Sequence, residues 1–184
     1  MPVPLTSVEL LERLIAFDTQ SFRSNLELVA FVQDHLDGLG VASRLVHDGT
    51  GTKANLWAMV GPADVPGIVL SGHTDVVPVA GQDWTSDPFR AEIRDGRLYG
   101  RGAADMKGFL ACVLALVPDL VGASLRKPAI LAFSYDEEVG CKGVPGLIEA
   151  LLAELPRPEA CLVGEPTLMR LVDGHKGKAG YRCS

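Results

Sequence analysis

The chain has 184 residues, long enough to bury a real core in one good-sized domain. Its 47% hydrophobic and 22% charged residues are ordinary for a globular protein. A formal net charge of -6 argues against a generic nucleic-acid binder, which would carry a basic face.

The opening stretch MPVPLTSVELLERL has no basic segment followed by a long apolar run, so no signal peptide is expected. No apolar run approaches the length of a membrane span. Cys112, Cys141, Cys161 and Cys183 form no CxxC pair and no zinc-knuckle spacing. They read as reduced, buried thiols of a cytoplasmic protein.

Thr6-Ser7-Val8-Glu9 fits a capping box, and Leu10, Leu11, Leu14 and Ile15 follow at helical spacing. Ser24 to Glu27 repeats the device. Val29, Val32, Leu36 and Leu39 mark one face of the next helix, which Gly40 would stop. Two strand-like pieces follow, Val41 to Val46 and Asn55 to Val60, before a loop from Gly61 to Pro66. Gly67 to Gly72 is short, apolar and β-branched, as a central buried strand should be. A long segment rich in Gly, Asp and Pro runs from Pro78 to Gly108. Phe109 to Val117 reads as a buried helix stopped by Pro118, and 129–135 as a strand. Val144 to Leu155 is an amphipathic helix, and 160–163 another buried strand.

Strands alternating with helices imply an α/β layer architecture with a largely parallel sheet. Ligands bind such sheets outside the carboxyl ends of the strands. Three of these ends carry acids. The strand at 67–72 ends in His73-Thr74-Asp75, that at 129–135 in Asp136-Glu137-Glu138, and that at 160–163 in Gly164-Glu165-Pro166-Thr167. Clustered acids at one edge need a counter-charge, and the sequence offers few basic residues nearby apart from Lys107. One or two divalent metal ions are the simplest answer.

His73 supplies an imidazole, a good zinc ligand. Asp75, two residues on in extended chain, can bond the far ring nitrogen and fix its orientation. Glu137 and Glu138 are neighbours whose side chains diverge, so one can bind metal while the other serves as general base. Glu165 adds a carboxylate, and Asp105, on the glycine-rich loop 100–108, can bridge two metals. Each feature alone has a plainer reading. HxD pairs are common, Glu138 and Glu165 can be solvated strand ends, and the loop can be a simple turn or a phosphate loop without the P-loop spacing. Their convergence on consecutive strand ends is what argues for a site.

SGHTDVVP (71–78), GRGAADMKG (100–108), YDEEVG (135–140) and VGEPT (163–167) resemble the aminoacylase and carboxypeptidase-type metallopeptidases with two co-catalytic zinc ions. Residues 73–89, 133–144 and 175–183 carry a narrower likeness to the acetylornithine deacetylases of that family. The resemblance implies a three-layer zinc-peptidase-like α/β catalytic domain over residues 1–174, with helices flanking a twisted, largely parallel sheet. Residues 175–184 would begin the connection to a lid and dimerisation domain. It implies that His73 and Glu165 bind one metal, Glu138 the other, and that Asp105 bridges them through a cis peptide to Met106. Glu137 would be the general base and Asp75 would orient His73. The implied reaction hydrolyses a small-molecule N-acyl amino acid, here N2-acetylornithine, to ornithine and acetate. Zinc is the implied metal, with cobalt or manganese as alternatives.

Family members continue past the position of Ser184, dimerise, and supply a further histidine to the metal beside Glu138. His35, His47 and His175 read as structural or surface residues. The expectation is one well-held metal, a weak second site and little deacetylase activity for this chain alone. No nucleic-acid or membrane partner is expected. Two competing readings stand beside this one. The first is a sister enzyme, such as succinyl-diaminopimelate desuccinylase, an aminoacylase or a dipeptidase; the second is a non-catalytic metal-binding fragment.

Overall fold

The computed structural model describes residues 4–174 and residue 177. Helix α1 (Ser7–Ile15) starts at the anticipated capping box: the Glu9 amide donates to the Thr6 hydroxyl at 3.2 Å, and the Thr6 amide donates to the Glu9 carboxylate at 2.8 Å. Its apolar face, Leu10, Leu14 and Ile15, is buried.

Helix α2 (Leu26–Gly38) corrects the second capping expectation. Its N-cap is Asn25, which makes no side-chain cap. The Asn25 side chain instead clamps both backbone groups of Ala54 and donates to the Thr74 hydroxyl at 2.9 Å. Tertiary contacts therefore outcompete the local box. At the other end Gly40, at φ +74, closes a Schellman motif, with Val41 N–H on the Leu36 carbonyl and Gly40 N–H on Asp37.

Five strands form the main sheet: β1 (Ser43–His47), β2 (Ala54–Val60), β3 (Ile68–His73), β6 (Ala129–Ser134) and β7 (Ala160–Val163), in the order β1-β2-β6-β3-β7. The β6–β3 and β3–β7 pairs are parallel and the β1–β2 and β2–β6 pairs antiparallel. Four strands thus point one way and β2 alone runs back. The carboxyl ends of β3, β6 and β7 share one edge, and the amino end of β2 opens beside them.

The segment read as irregular carries a small hairpin, β4 (Glu92–Arg94) with β5 (Arg97–Tyr99). Asp95 and Gly96, at φ +49 and +72, make its two-residue turn. Helix α3 (Lys107–Gly122) starts earlier than expected and runs through Pro118 instead of stopping there. Proline removes the N–H that would bond the Leu114 carbonyl. The His35 ring, 3.5 Å from that carbonyl, sits where the missing donor would be. Helix α4 (Val144–Glu154) matches its prediction.

The sheet alternates its apolar residues between two cores. Leu131 and Phe133 face the cluster formed with α1, α2 and α3, while Ile130, Ala132, Trp57 and Val69 meet Leu147 and Leu151 of α4. Helices therefore cover both faces of a mostly parallel sheet, the expected three layers. Two expectations fail at its margin. Strand β7 is the exposed edge of the sheet and not a buried strand, since among the described residues only β3 pairs with it. Cys112, Cys141 and Cys161 are free, as expected, but exposed: two lie on the solvent side of α3 and β7 and one in a turn. Cys183 lies outside the described residues.

Candidate metal centre

His73 is the last residue of β3, and its ring is buried. Nδ1 lies 2.8 Å from the backbone carbonyl of Asp75. A carbonyl only accepts, so Nδ1 carries the proton and Nε2 is the nitrogen that can meet a metal. Around Nε2 stand Asp105 Oδ1 at 3.1 Å, Glu165 Oε1 at 3.6 Å and Glu137 Oε2 at 3.9 Å. Donors on one tetrahedral zinc ion lie about 3.3 Å apart. The residues thus fit a divalent ion in both spacing and chemistry. Two donor groups share the histidine: His73 with Glu137 and Glu165, and His73 with Asp105 and Glu138.

Two glycines let α3 come in beneath these strand ends. A Cβ on Gly72 would lie 2.7 Å from the Leu110 side chain, and one on Gly164 would lie 2.0 Å from the Phe109 ring. The second places Glu165 at the mouth of the site directly after the close crossing. Asp105 sits at the end of the glycine-rich loop, and its peptide to Met106 is cis.

The Asp75 carboxylate does more than the sequence suggests. Its contact with His73 Nδ1 is 3.5 Å, longer than that of its own carbonyl. Its oxygens mainly collect donors from elsewhere: the Ser21 hydroxyl at 2.7 Å, the Glu137 amide at 3.0 Å and the Glu138 amide at 3.3 Å. Asp75 therefore ties the end of β3 to the loop after β6.

That loop has two further braces. Asn55 accepts from the Tyr135 amide at 3.2 Å and donates to the Gly143 carbonyl at 2.9 Å. Lys53 forms an ion pair with Asp136 and donates to the Ser21 carbonyl. Asp136 occupies the left-handed region, at φ +55, immediately before Glu137. The first acid of the DEE run thus has a lysine for its counter-charge, which corrects the expectation that metal alone balances the run. Lys107 offers no such help to Asp105. It is fully buried, and its ammonium donates to the Phe17 carbonyl at 2.7 Å. Burial depresses it to about 7.

Charge is concentrated here. Burial alone would lower the His73 imidazole, but the hydrogen bonds and charge of Asp75, with Glu165, raise it to about 9. Burial pushes Asp75 up, yet His73, Ser21 and the Glu137 amide outweigh it and hold the carboxyl below the usual range. Glu138 and Glu165 are both raised, first by burial and then by the charge of Asp105. A cation among them would relieve that crowding.

The structure brings His73, Asp75, Asp105, Glu137, Glu138 and Glu165 together at one point. His35 and His47 lie on α2 and β1 and belong to neither donor group; His175 lies outside the described residues. Sequence reasoning misses Ser21, Lys53 and Asn55, none of which shows a spacing signal. The antiparallel entry of β2 at the carboxyl edge delivers two of them.

Residues 69–176 match the peptidase family M20/M25/M40. Over 156 residues the chain is 37% identical to an acetylornithine deacetylase of Shigella sonnei, a match covering 84% of this chain and 40% of that relative. An M20 family metallo-carboxypeptidase from Sulfolobus solfataricus superimposes with a TM-score of 0.74 at 23% identity, over 86% of this chain and 37% of the other. Human carnosine dipeptidase 1 gives 0.71 at 23% identity, over 85% and 38%. At these identities the structures show a shared fold. The chain spans about two fifths of the length of the relatives it matches. The family match, over the segment that carries all six converging residues except their supports, shows that this chain belongs to peptidase family M20/M25/M40.

Proposed function

We propose that this protein is a metal-dependent amidohydrolase that removes the acetyl group from N2-acetylornithine, releasing ornithine and acetate. The observation that carries the reading is the convergence of one imidazole and four carboxylates from three strand ends and the loop before α3. The likeness to the Shigella sonnei acetylornithine deacetylase supports the substrate.

In this reading His73 and Glu165 would hold one divalent ion and Glu138 a second, with the Asp105 carboxylate available to both. Zinc suits this donor set, and cobalt or manganese can replace it. Bound ions would polarise the scissile carbonyl and acidify the attacking water. Glu137 takes the proton of that water and returns it to the departing amine. Its place beside His73 Nε2, at 3.9 Å, puts it within the same cluster. Asp75 holds the His73 ring and the backbone of both glutamates.

His73 is the one histidine in either donor group among the described residues, and in this reading it goes to the ion held with Glu165, so the ion beside Glu138 is left with carboxylates alone and is the more weakly held. We expect the 184-residue chain alone to hold one ion well and to hydrolyse poorly. We assign residues 1–174 to the catalytic domain and 175–184 to its connection with a lid and dimerisation domain, giving a cytoplasmic homodimer.

The test assays the full-length protein, loaded with zinc, cobalt or manganese, against N2-acetylornithine, N-succinyl-diaminopimelate, acylated amino acids and dipeptides. Acetate release that chelation abolishes and metal restores is the expected result. Hydrolysis of another amide alone replaces the substrate and keeps the chemistry. Metal binding without hydrolysis of any amide overturns the reaction.

A further inference from the structure

The segment between α1 and α2 lies against the site, and one of its side chains touches the site's internal wiring. We propose that Ser21 is a positioning residue that acts through the Asp75 carboxylate on His73 and on the Glu137–Glu138 pair. The proposal rests on reading the cluster as a metal centre.

Burial comes first. Ser21 is 7% exposed and Asp75 2% exposed, so water does not substitute for their contact. The hydroxyl is also aimed. Ser21 N–H donates to the Val76 carbonyl at 3.1 Å, and Val76 N–H donates to Thr19 at 3.1 Å. The Thr19 hydroxyl donates to the Thr74 carbonyl at 2.6 Å. Residues 19–21 are thereby laced to residues 74–76, and the hydroxyl of Ser21 meets Asp75 Oδ2 at 2.7 Å without a flexible arm between them.

The donor set of Asp75 shows what the hydroxyl controls. Oδ2 has two donors, the Ser21 hydroxyl at 2.7 Å and the Glu138 amide at 3.3 Å; Oδ1 has the Glu137 amide at 3.0 Å and stands 3.5 Å from His73 Nδ1. Ser21 makes the shortest of these contacts. Without it Oδ2 keeps only the 3.3 Å contact of the Glu138 amide, and the carboxylate is held less tightly against rotation. Rotation would loosen the His73 ring and both glutamate amides together. The carbonyl of Ser21 serves the same loop, because Lys53 bonds it and pairs with Asp136. One residue therefore supports the acidic loop from both its side chain and its backbone.

The experiment measures zinc affinity by chelator competition, alongside kcat and KM, in the purified full-length protein. Ser21→Ala should weaken zinc binding about 10- to 100-fold, the range seen when partners of metal ligands are removed. It should lower kcat with little change in KM. Ser21→Thr, which keeps the hydroxyl, should restore both. In an Asp75→Asn background Ser21→Ala should add little, because the group it acts through is already altered. Should the alanine variant fail to fold, Ser21→Cys, whose thiol is a weak donor, tests the same loss. Unchanged zinc affinity in the alanine or cysteine variant overturns the proposal. So does a full loss in the Asp75→Asn background. Zinc affinity is read whether or not any amide is cleaved, so failure of the proposed reaction and failure of this inference are distinguishable.

Discussion

Lys53 and Lys127 each pair with a carboxylate, at opposite ends of the same sheet. At the carboxyl end Lys53 meets Asp136, and their side chains are 13% and 12% exposed. At the amino end Lys127, just before β6, meets Glu159, just before β7, and these side chains are 52% and 56% exposed. The residue types are alike and the settings differ. The outer pair is solvated and contributes little. The inner pair sits between β2 and the acidic loop, beside the Ser21 carbonyl, and holds the residue that precedes Glu137. The contrast teaches that the carboxyl end is preorganised by buried side-chain polar contacts, whereas the amino end is joined by backbone hydrogen bonds, Ile68 N–H to the Pro128 carbonyl and Glu159 N–H to the Gly67 carbonyl, with its ion pair left in solvent.

The sharpest test of that division is Glu137→Gln. If the braced loop presents the base, kcat should fall about 10²- to 10⁴-fold while zinc affinity holds. A collapse of zinc affinity would make Glu137 a ligand and redraw the site.

Next in size is Lys53→Met. It leaves the Asp136 carboxylate buried without a partner and should cost about 3 kcal/mol in denaturant unfolding. Lys127→Met should cost at most about 1 kcal/mol. Equal losses would erase the distinction between the two ends.

Thr6→Ala, which removes the capping box of α1, should cost about 1 kcal/mol. Scanning calorimetry should show this as a melting temperature lower by about 2–4 °C. A selective loss of kcat in this variant would show that the site depends on packing far from it.

The smallest effect concerns His35. Burial lowers its imidazole, with Leu114 opposing and Arg13 adding to the shift. The unfolded chain then binds the proton more readily, so this group's contribution is intact above about 6.5 and is lost as pH falls below it. His35→Gln should flatten that part of the stability–pH curve, measured by urea midpoints from pH 7 to 5. An unchanged slope would remove His35 from the account.

The acidic strand ends at 136–138 and 165 were legible because strand pattern and residue type are local properties. The chain order of β3, α3, β6, α4 and β7 followed from the same signals, as did the capping box at Thr6 and the stop at Gly40. Some elements misled for equally physical reasons. Pro118 looked like a stop, but α3 is buried well enough to carry it through. The apolar run 160–163 looked like an interior strand, but apolarity does not show how many neighbours a strand has. Ser24 looked like a cap, but Asn25 is drawn to Ala54 and Thr74.

Hydrophobic periodicity and the residue types at strand ends are written in the order of the chain, so by itself the sequence determined the layered fold and the acids that gather at its edge. Only the tertiary structure decided what steadies them. Ser21 and Lys53 reach Asp75 and Asp136 across 54 and 83 positions of sequence. Such contacts depend on β2 entering the sheet against its neighbours and on the α1–α2 connection lying under β3. No spacing along the chain encodes a hydrogen bond between segments that meet only when the sheet has formed.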